Sequence, residues 1–440
     1  MMSSQRRLLA SSFLVLAAQA FTSPQVVAQG REVRLDEALG MARGQAIGVL
    51  RAAAQVEASS AAFDAVRDSR WPALSLDVGG GQRYGLSFDQ TSGGLTQSTV
   101  ESVDAGLSAD VVVFDGFERR AASRSAEAGV RAAELTRARA EQEAAVAVLQ
   151  GFLAVAQAEA ARTVGQEDVA AQEALLAEVR AQVEFGARPG FEVSQQEERV
   201  ATAQSAVLAA VRDRRLAEAR LVRVLGLDPS EGYTFVAPEA PQEVPAEAAE
   251  VFVRRALESR TDLLAADAAS EAAEADRRAA RAGRLPRITA SAAFGTSYTS
   301  AAAVGFPSQV GDNRSGGIRV GVAVPLFDRG VARQRTRQAD VRAVALAAER
   351  EDARRSVALD VRERLIELDA LREQDVLAAV RVRAAEATLA AERARYAAGE
   401  STLQSVSLAQ ARAVEARTAQ ERVTVDARFG RLLLGVAVGA

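Results

Sequence analysis

Val103-Asp104-Ala105-Gly106-Leu107-Ser108-Ala109-Asp110-Val111-Val112-Val113-Phe114-Asp115-Gly116 changes character at its end. Val103, Ala105, Leu107, Ala109, Val111 and Val113 point one way, and Asp104, Gly106, Ser108 and Asp110 the other, the period of a strand with one polar face. From Phe117 to Arg188 there is no proline, and the composition turns to Ala, Arg, Glu, Leu and Gln, the strong helix formers. A strand therefore feeds directly into a very long helix.

The same sequence of events occurs twice. Val112-Val113-Phe114-Asp115-Gly116 matches Pro325-Leu326-Phe327-Asp328-Arg329-Gly330, and Arg70-Trp71-Pro72 matches Arg284-Leu285-Pro286, at an offset of about 214 residues. Phe185-Gly186-Ala187-Arg188 and Leu225-Gly226 find their counterparts at Tyr396-Ala397-Ala398-Gly399 and Leu434-Gly435. The expected first repeat, 31–229, has a helix over 35–70, strands over 73–83 and 102–114, a long helix over 117–185 and a return helix over 192–225. The second, 246–440, has a helix over 246–283, strands over 287–298 and 316–327, a long helix over 329–396 and a return helix over 402–434. Between them, 230–245 reads as an irregular linker, holding Pro238, Pro241 and Pro245 just after Pro229.

A helix of about 68 residues spans on the order of 100 Å. The two shorter helices of each repeat together equal the long one and are expected to stack end to end beside it. Ala138, Ala145, Leu149, Phe152, Ala156 and Thr163 keep a 3–4 spacing, as do Val361, Leu365 and Leu368, the seam of a coiled coil.

The 440 residues contain no Cys and no His, and all 54 basic residues are arginine. That excludes disulfides, Cys or His metal sites, Ser-His and Cys-His pairs, lysine Schiff bases and the phosphate-binding loop, so no cofactor is expected. A net charge of -4 gives no footprint for nucleic acid. At the start, Arg6 and Arg7 precede an apolar run from Leu8 to Ala17, the pattern of a secretory signal over 1–28. Cleavage after Ala20 and after Ala28 both fit.

The other strands alternate as well. Leu74, Leu76 and Val78 oppose Ser75, Asp77 and Gly79; Ile288, Ala290, Ala292 and Phe294 oppose Thr289, Ser291, Ala293 and Gly295; Ile318, Val320, Val322 and Val324 oppose Arg319, Gly321 and Ala323. Alternation alone fits a soluble sheet with one wet face equally well. The signal sequence, the strand length of about ten residues and the long polar loops expected over 84–100 and 296–316 favour a membrane. Four strands cannot close a barrel, since the smallest have about eight, and open edges are not tolerated in lipid. Strands in a membrane then require a barrel shared between chains.

With these markers in order, the chain resembles the TolC-like outer-membrane efflux protein family. The Pro72 and Pro286 strand entries, the Arg260-Thr261-Asp262-Leu263 segment, the Phe114-Asp115-Gly116 and Pro325-to-Gly330 strand ends and the Tyr396-to-Gly399 turn carry the resemblance. It implies a mainly α fold with a membrane β part: a homotrimer with a twelve-stranded β-barrel continued by a twelve-helix periplasmic α-barrel. It implies outer-membrane localisation in a Gram-negative cell with a long periplasmic extension, contact with outer-membrane lipid, a periplasmic adaptor and an inner-membrane transporter. The implied function is a passive exit duct of a tripartite efflux pump or type I secretion system, not an enzyme.

The resemblance also places the periplasmic tip at the two long-helix turns. Phe185, Arg188, Glu192, Ser194, Tyr396, Gly399, Glu400, Ser401 and Ser405 fall there, with Tyr396 on the family's tip tyrosine. The prototype's acidic residues fall on Ser194, Ser405 and Leu408 and its arginine on Ser401, so this chain lacks that lock, and Glu192, Glu197 and Glu400 are the nearby carboxylates. Asp77, Asp104, Asp110 and Arg319, on the polar strand faces, are expected to line the barrel lumen, because charge on the lipid face costs about 2–4 kcal/mol at mid-depth. Two other classes were weighed. A soluble coiled-coil adaptor has one hairpin between β domains, which the doubled order does not fit. A carboxylate-only hydrolase needs a focused acid pair, and the Asp and Glu residues are scattered.

Overall fold

The computed structural model describes residues 31–89, 93–237, 248–302 and 304–439. The signal segment and the linker's later prolines lie outside these residues. In chain order the elements are β1 (Arg31–Arg34), α1 (Leu35–Gln45), α2 (Ile47–Asp68), β2 (Ala73–Asp89), β3 (Gly94–Phe114), α3 (Glu118–Glu184), α4 (Phe191–Leu225), β4 (Tyr233–Val236), α5 (Ala249–Ser259), α6 (Thr261–Ala282), β5 (Arg287–Thr299), α7 (Phe306–Asp312), β6 (Ser315–Ala323), α8 (Val331–Ala397) and α9 (Leu403–Val438).

The two long helices each have 67 residues, about 100 Å of rod. Along its first half α3 packs against α2 and α6, with Thr261 bonded to Gln142 and Arg131 to Glu271. Along its second half it packs against α4 and α9, with Arg214 bonded to Glu159 and Gln157 to Asp426. α8 completes the layer through α6 and then α9. Ala145, Leu149, Phe152, Val361 and Leu368 are buried in the seams as the spacing predicts. Thr163 is exposed and Val164 takes its place, because a 3.6-residue helix drifts off a fixed 3–4 pattern.

Five sequence expectations fail. The helix expected over 35–70 breaks at Ala46, whose ψ of 131° is extended, in a stretch weakened by Gly40, Gly44 and Gly48. The helix over 246–283 breaks likewise at Arg260, ψ 124°. The polar loop over 84–100 is mostly strand, since β2 runs to Asp89 and β3 starts at Gly94; its Ser, Thr and aromatic residues suit a pleated surface. The loop over 296–316 holds the rest of β5 and all of α7. β6 also stops at Ala323, short of 327, because Pro325 cannot continue a ladder.

β1 and β4 form a parallel pair that the sequence did not signal, with Val33 opposite Phe235. This pair, α1, the middle of α3, the end of α4 and α9 share one core: Val33, Leu35, Ala38, Val148, Phe152, Leu221, Leu225, Phe235 and Phe429. The middle of α3 is apolar enough by length and composition to cross a membrane, but its apolar residues are spent on this core. Gly151 lets α4 approach closely, for a Cβ there would lie 2.4 Å from Leu221 Cδ2.

The second sheet has the order β2-β3-β5-β6, all antiparallel. Its outer strands, β2 and β6, each have one unpaired edge among the described residues. Register aligns one apolar face: Leu76 opposite Leu107, Leu107 opposite Phe294, Ala292 opposite Ile318 and Ala290 opposite Val320. That face has no covering layer among the described residues. Leu74, Leu76 and Val78 are about 70% exposed, and Ile318 is 85% exposed. Above the end of β6, α7 lies along β5. The Gln309 amide there bonds to both the N–H and the C=O of Thr299, at 2.9 Å each.

Candidate functional site

Both long helices end in the same way. Gly186 and Gly399 adopt φ of +72° and +79°, a left-handed conformation that closes a helix end and strains any other residue. Ala187 N–H then bonds to Gln182 C=O and Glu400 N–H to Arg395 C=O, six-to-one closures at 2.9 and 2.8 Å. The turns are thereby held side by side at one end of the molecule, opposite the sheet.

Between them the chain builds a three-residue contact. The Tyr396 hydroxyl donates to Glu192 Oε2 at 2.8 Å. The Arg188 guanidinium stacks over the Tyr396 ring, 4.1 Å from its centroid, and donates to the Tyr396 carbonyl at 2.7 Å. Tyr396 is buried among Leu175, Val179, Leu403 and Val406. Burial first, then the bond to the Glu192 carboxylate, hold its hydroxyl well above the ordinary tyrosine pKa. Arg188 and Glu192 follow the first turn and Tyr396 precedes the second, so the contact fastens one helical hairpin to the other.

The remaining expected tip residues separate. Phe185, Ser194 and Glu400 are exposed. Ser401 donates to Glu392 Oε2 at 2.7 Å, and Ser405 N–H is received by Thr402 at the start of α9. Glu197 pairs with Arg180 at 2.6 Å.

Sequence reading missed a polar ladder one turn further up. Buried Gln196 on α4 donates to the Gln172 side chain on α3 at 2.8 Å. Gln172 donates to Asp168, which also accepts from Gln410 on α9 at 2.8 Å, and Arg393 on α8 donates to Gln410 at 2.9 Å. All four tip helices are joined. The signal was present: Gln172 sits three and seven residues before Leu175 and Val179, on the apolar seam. In the sequence Arg260 reads only as part of the Arg260-to-Leu263 motif. It is buried at the α5–α6 break and binds Asp262 at 2.6 Å and Asp360 at 2.5 Å.

At the other end, register puts Asp77, Asp104, Asp110 and Arg319 on the face opposite the apolar one. Asp110 pairs with Ser291 and Ser291 with Arg319, so one polar row crosses three strands, while Asp104 lies two residues from the partner of Asp77. The site as a whole is thus a polar face in a sheet, a hundred-ångström helical layer and a fastened tip.

A sequence profile described as outer membrane efflux protein matches residues 38–227 and 252–428. The chain belongs to that family. This outer membrane efflux protein is 25% identical over 315 residues to the pyoverdine export outer membrane protein OpmQ of Pseudomonas putida, covering 71% of this chain. The alignment spans 64% of that relative, less than two thirds of its length. Among solved structures, CusC, described for its transmembrane channel formation, matches with TM-score 0.81 at 18% identity over 92% of each chain. VceC of Vibrio cholerae matches with TM-score 0.77 at 19% identity, covering 92% of this chain and 96% of that one. At these identities the structural matches establish the fold. The efflux protein resides in the outer membrane, with its helical part in the periplasm.

Proposed function

We propose that this chain is one third of a passive exit duct and catalyses nothing. Three copies close a twelve-stranded barrel and a twelve-helix tube, each chain supplying two tandem helix–hairpin–helix repeats. The observation that carries this is the open four-stranded sheet: both edges are bare among the described residues and its apolar face is uncovered. Bare edges and a lone four-stranded sheet are not viable in lipid, whereas copies joined β6 to β2 abolish every edge. Asp77, Asp104, Asp110 and Arg319 then line the lumen and tune what passes.

The tip contact among Arg188, Glu192 and Tyr396 holds the tube narrowed, and separation of the two hairpins opens it. An inner-membrane transporter supplies the cargo and a periplasmic adaptor drives the opening, in a tripartite pump or a type I secretion system. The Pseudomonas putida relative is named for pyoverdine export, and the cargo is a compound of that kind. Native mass spectrometry of the detergent-purified outer-membrane fraction, with cysteines placed on β2 and β6 for cross-linking, tests the duct. Trimers linked β2 to β6 are the expected result. A monomer in the soluble periplasmic fraction would refute it.

A further inference from the structure

Where the sheet passes into the rods, arginine accumulates although the chain as a whole is acidic. Arg67, Arg70, Arg119, Arg120 and Arg124 surround the exit of β3 into α3. The stretch 329–337, at the exit of β6 into α8, holds Arg329, Arg333, Arg335 and Arg337 and no carboxylate.

Some of these are already spent. Arg119 is bound to Asp115 at 2.6 Å, and Arg67 reaches Asp64 at 3.0 Å and Asp68 at 3.3 Å. Others are not. Arg120 and Arg124, one helical turn apart, are exposed and have no hydrogen bond or ion pair among the described residues. Arg70 uses only Nε, on the Arg67 carbonyl at 2.7 Å, which leaves both terminal amino groups open.

These three arginines line a cleft of about 700 Å³ between α2 and α3, together with Val66, Val111, Phe114 and Phe117. Register tells which way it opens. Val111 lies opposite Ala290 and Phe114 opposite Ile288, both in the uncovered apolar rows. Phe117 packs edge-on against Phe114 at 5.3 Å. The cleft is therefore apolar at its upper end, continuous with the lipid-facing surface, and cationic at its lower end, at the level of the periplasmic leaflet. Phe327, 87% exposed, repeats the aromatic-above-arginine order over Arg333 and Arg337.

We propose that this collar binds the headgroups of net-anionic phospholipids in the periplasmic leaflet, with the lipid phosphate held by Arg70, Arg120 and Arg124. The guanidinium fork matches phosphate oxygens two at a time, and long arginine stems lie along apolar surface while their heads reach the headgroup. The acyl chain lies over Val111, Phe114 and Phe117. The Arg329-to-Arg337 stretch, on the far side of α6 at the same passage from sheet to rod, extends the collar, as basic clusters beside a membrane attract acidic lipid.

The proposal rests on the outer-membrane placement, and its test keeps the two apart. Full-length protein purified from the outer-membrane fraction is titrated in detergent with phosphatidylglycerol and, separately, phosphatidylcholine, and bound lipid is counted by native mass spectrometry. The variants are the triple Arg70→Gln/Arg120→Gln/Arg124→Gln and a charge-matched control in the lower tube, Arg212→Gln/Arg381→Gln/Arg412→Gln. Wild type and control are expected to retain phosphatidylglycerol at least tenfold better than the triple variant and better than they retain phosphatidylcholine. Millimolar inorganic phosphate should leave it bound. Equal retention by triple and wild type, equal retention of the two lipids, or displacement by inorganic phosphate overturns the proposal. A wild type missing from the outer-membrane fraction strikes instead at the duct. Should the triple variant fail to fold, Arg120→Gln and Arg124→Gln singly are read the same way, each expected to weaken retention severalfold.

Discussion

Tyr396→Phe removes one hydroxyl and leaves the ring, its seat among Leu175, Val179, Leu403 and Val406, and the Arg188 stack. What is lost is a 2.8 Å bond to a carboxylate that is only 8% exposed. A hydrogen bond to a charged group contributes about 1.5–3 kcal/mol, and its loss leaves Glu192 buried without this donor. Taking about 2 kcal/mol per chain, the closed-to-open ratio falls roughly 30-fold per contact. Three contacts broken in one concerted opening compound to a shift of order 10⁴, enough to turn a closed population into an open one. Single-channel recording in planar bilayers at neutral pH reads this as long-lived high-conductance openings in the variant. Glu192→Gln keeps an acceptor without the charge and should fall between. Wild-type conductance together with a lowered melting temperature would show that the bond stabilises the fold without governing the passage.

Because the folded pKa of Tyr396 is raised, its contribution is complete below the ordinary tyrosine value near 10 and is lost as pH rises through the folded value. Channel opening at strongly alkaline pH is expected in wild type and should be absent as a separate transition in Tyr396→Phe. Arg260→Met leaves Asp262 and Asp360 without their shared partner; their partial exposure discounts a fully buried case, so a loss of about 2–3 kcal/mol is expected by denaturant titration. Burial pushes the Asp262 carboxyl up, but the Arg260 bond, the charges of Arg260 and Arg139 and the Leu263 N–H together outweigh it and the net pKa is depressed, so this stability is present above about pH 4 and lost as pH falls below it, a dependence that Arg260→Met should weaken. Gln172→Leu with Gln196→Leu replaces both partners of a buried pair by apolar groups, one of which carries a carboxamide oxygen with no partner among the described residues; the double variant should melt no lower than wild type and conduct less often. Gly151→Ala forces Leu221 aside and should cost about 1–3 kcal/mol in the same titration.

The rods and strand faces were legible because they are periodic. Leu149, Phe152, Val361 and Leu368 announce a seam by spacing, and Asp77, Asp104 and Asp110 declare a polar face by alternation. Breaks were not legible, because neither Ala46 nor Arg260 is a residue type that ends helices; tertiary packing and the Arg260 ion pairs impose them. The extension of β2 and β3 was hidden by polar composition, which the register of the pair overrode. At the long-helix turns, the resemblance singled out Tyr396, which the structure places in the contact between the two hairpins. Its partner was a matter of geometry: Ser194 falls where the family prototype has its acid, yet Glu192, two residues earlier, meets the hydroxyl. The glutamine ladder escaped because a polar residue on an apolar stripe looks like an interruption until its neighbours are known.

One inequality in the sheet bears on how the duct fails. β2 and β3 pair over seventeen residues within a chain, but β6, the strand that would meet the next copy, has only nine. In the proposed trimer the joint between subunits can therefore be no longer than the nine-residue β5–β6 seam, about half the length of the first hairpin's ladder. Under strain such a cylinder should part at one of its nine-residue seams, on either side of β6, before the seventeen-residue hairpin opens. Gentle detergents should preserve the ring, and harsher ones should open it beside β6 before the β2–β3 hairpin melts.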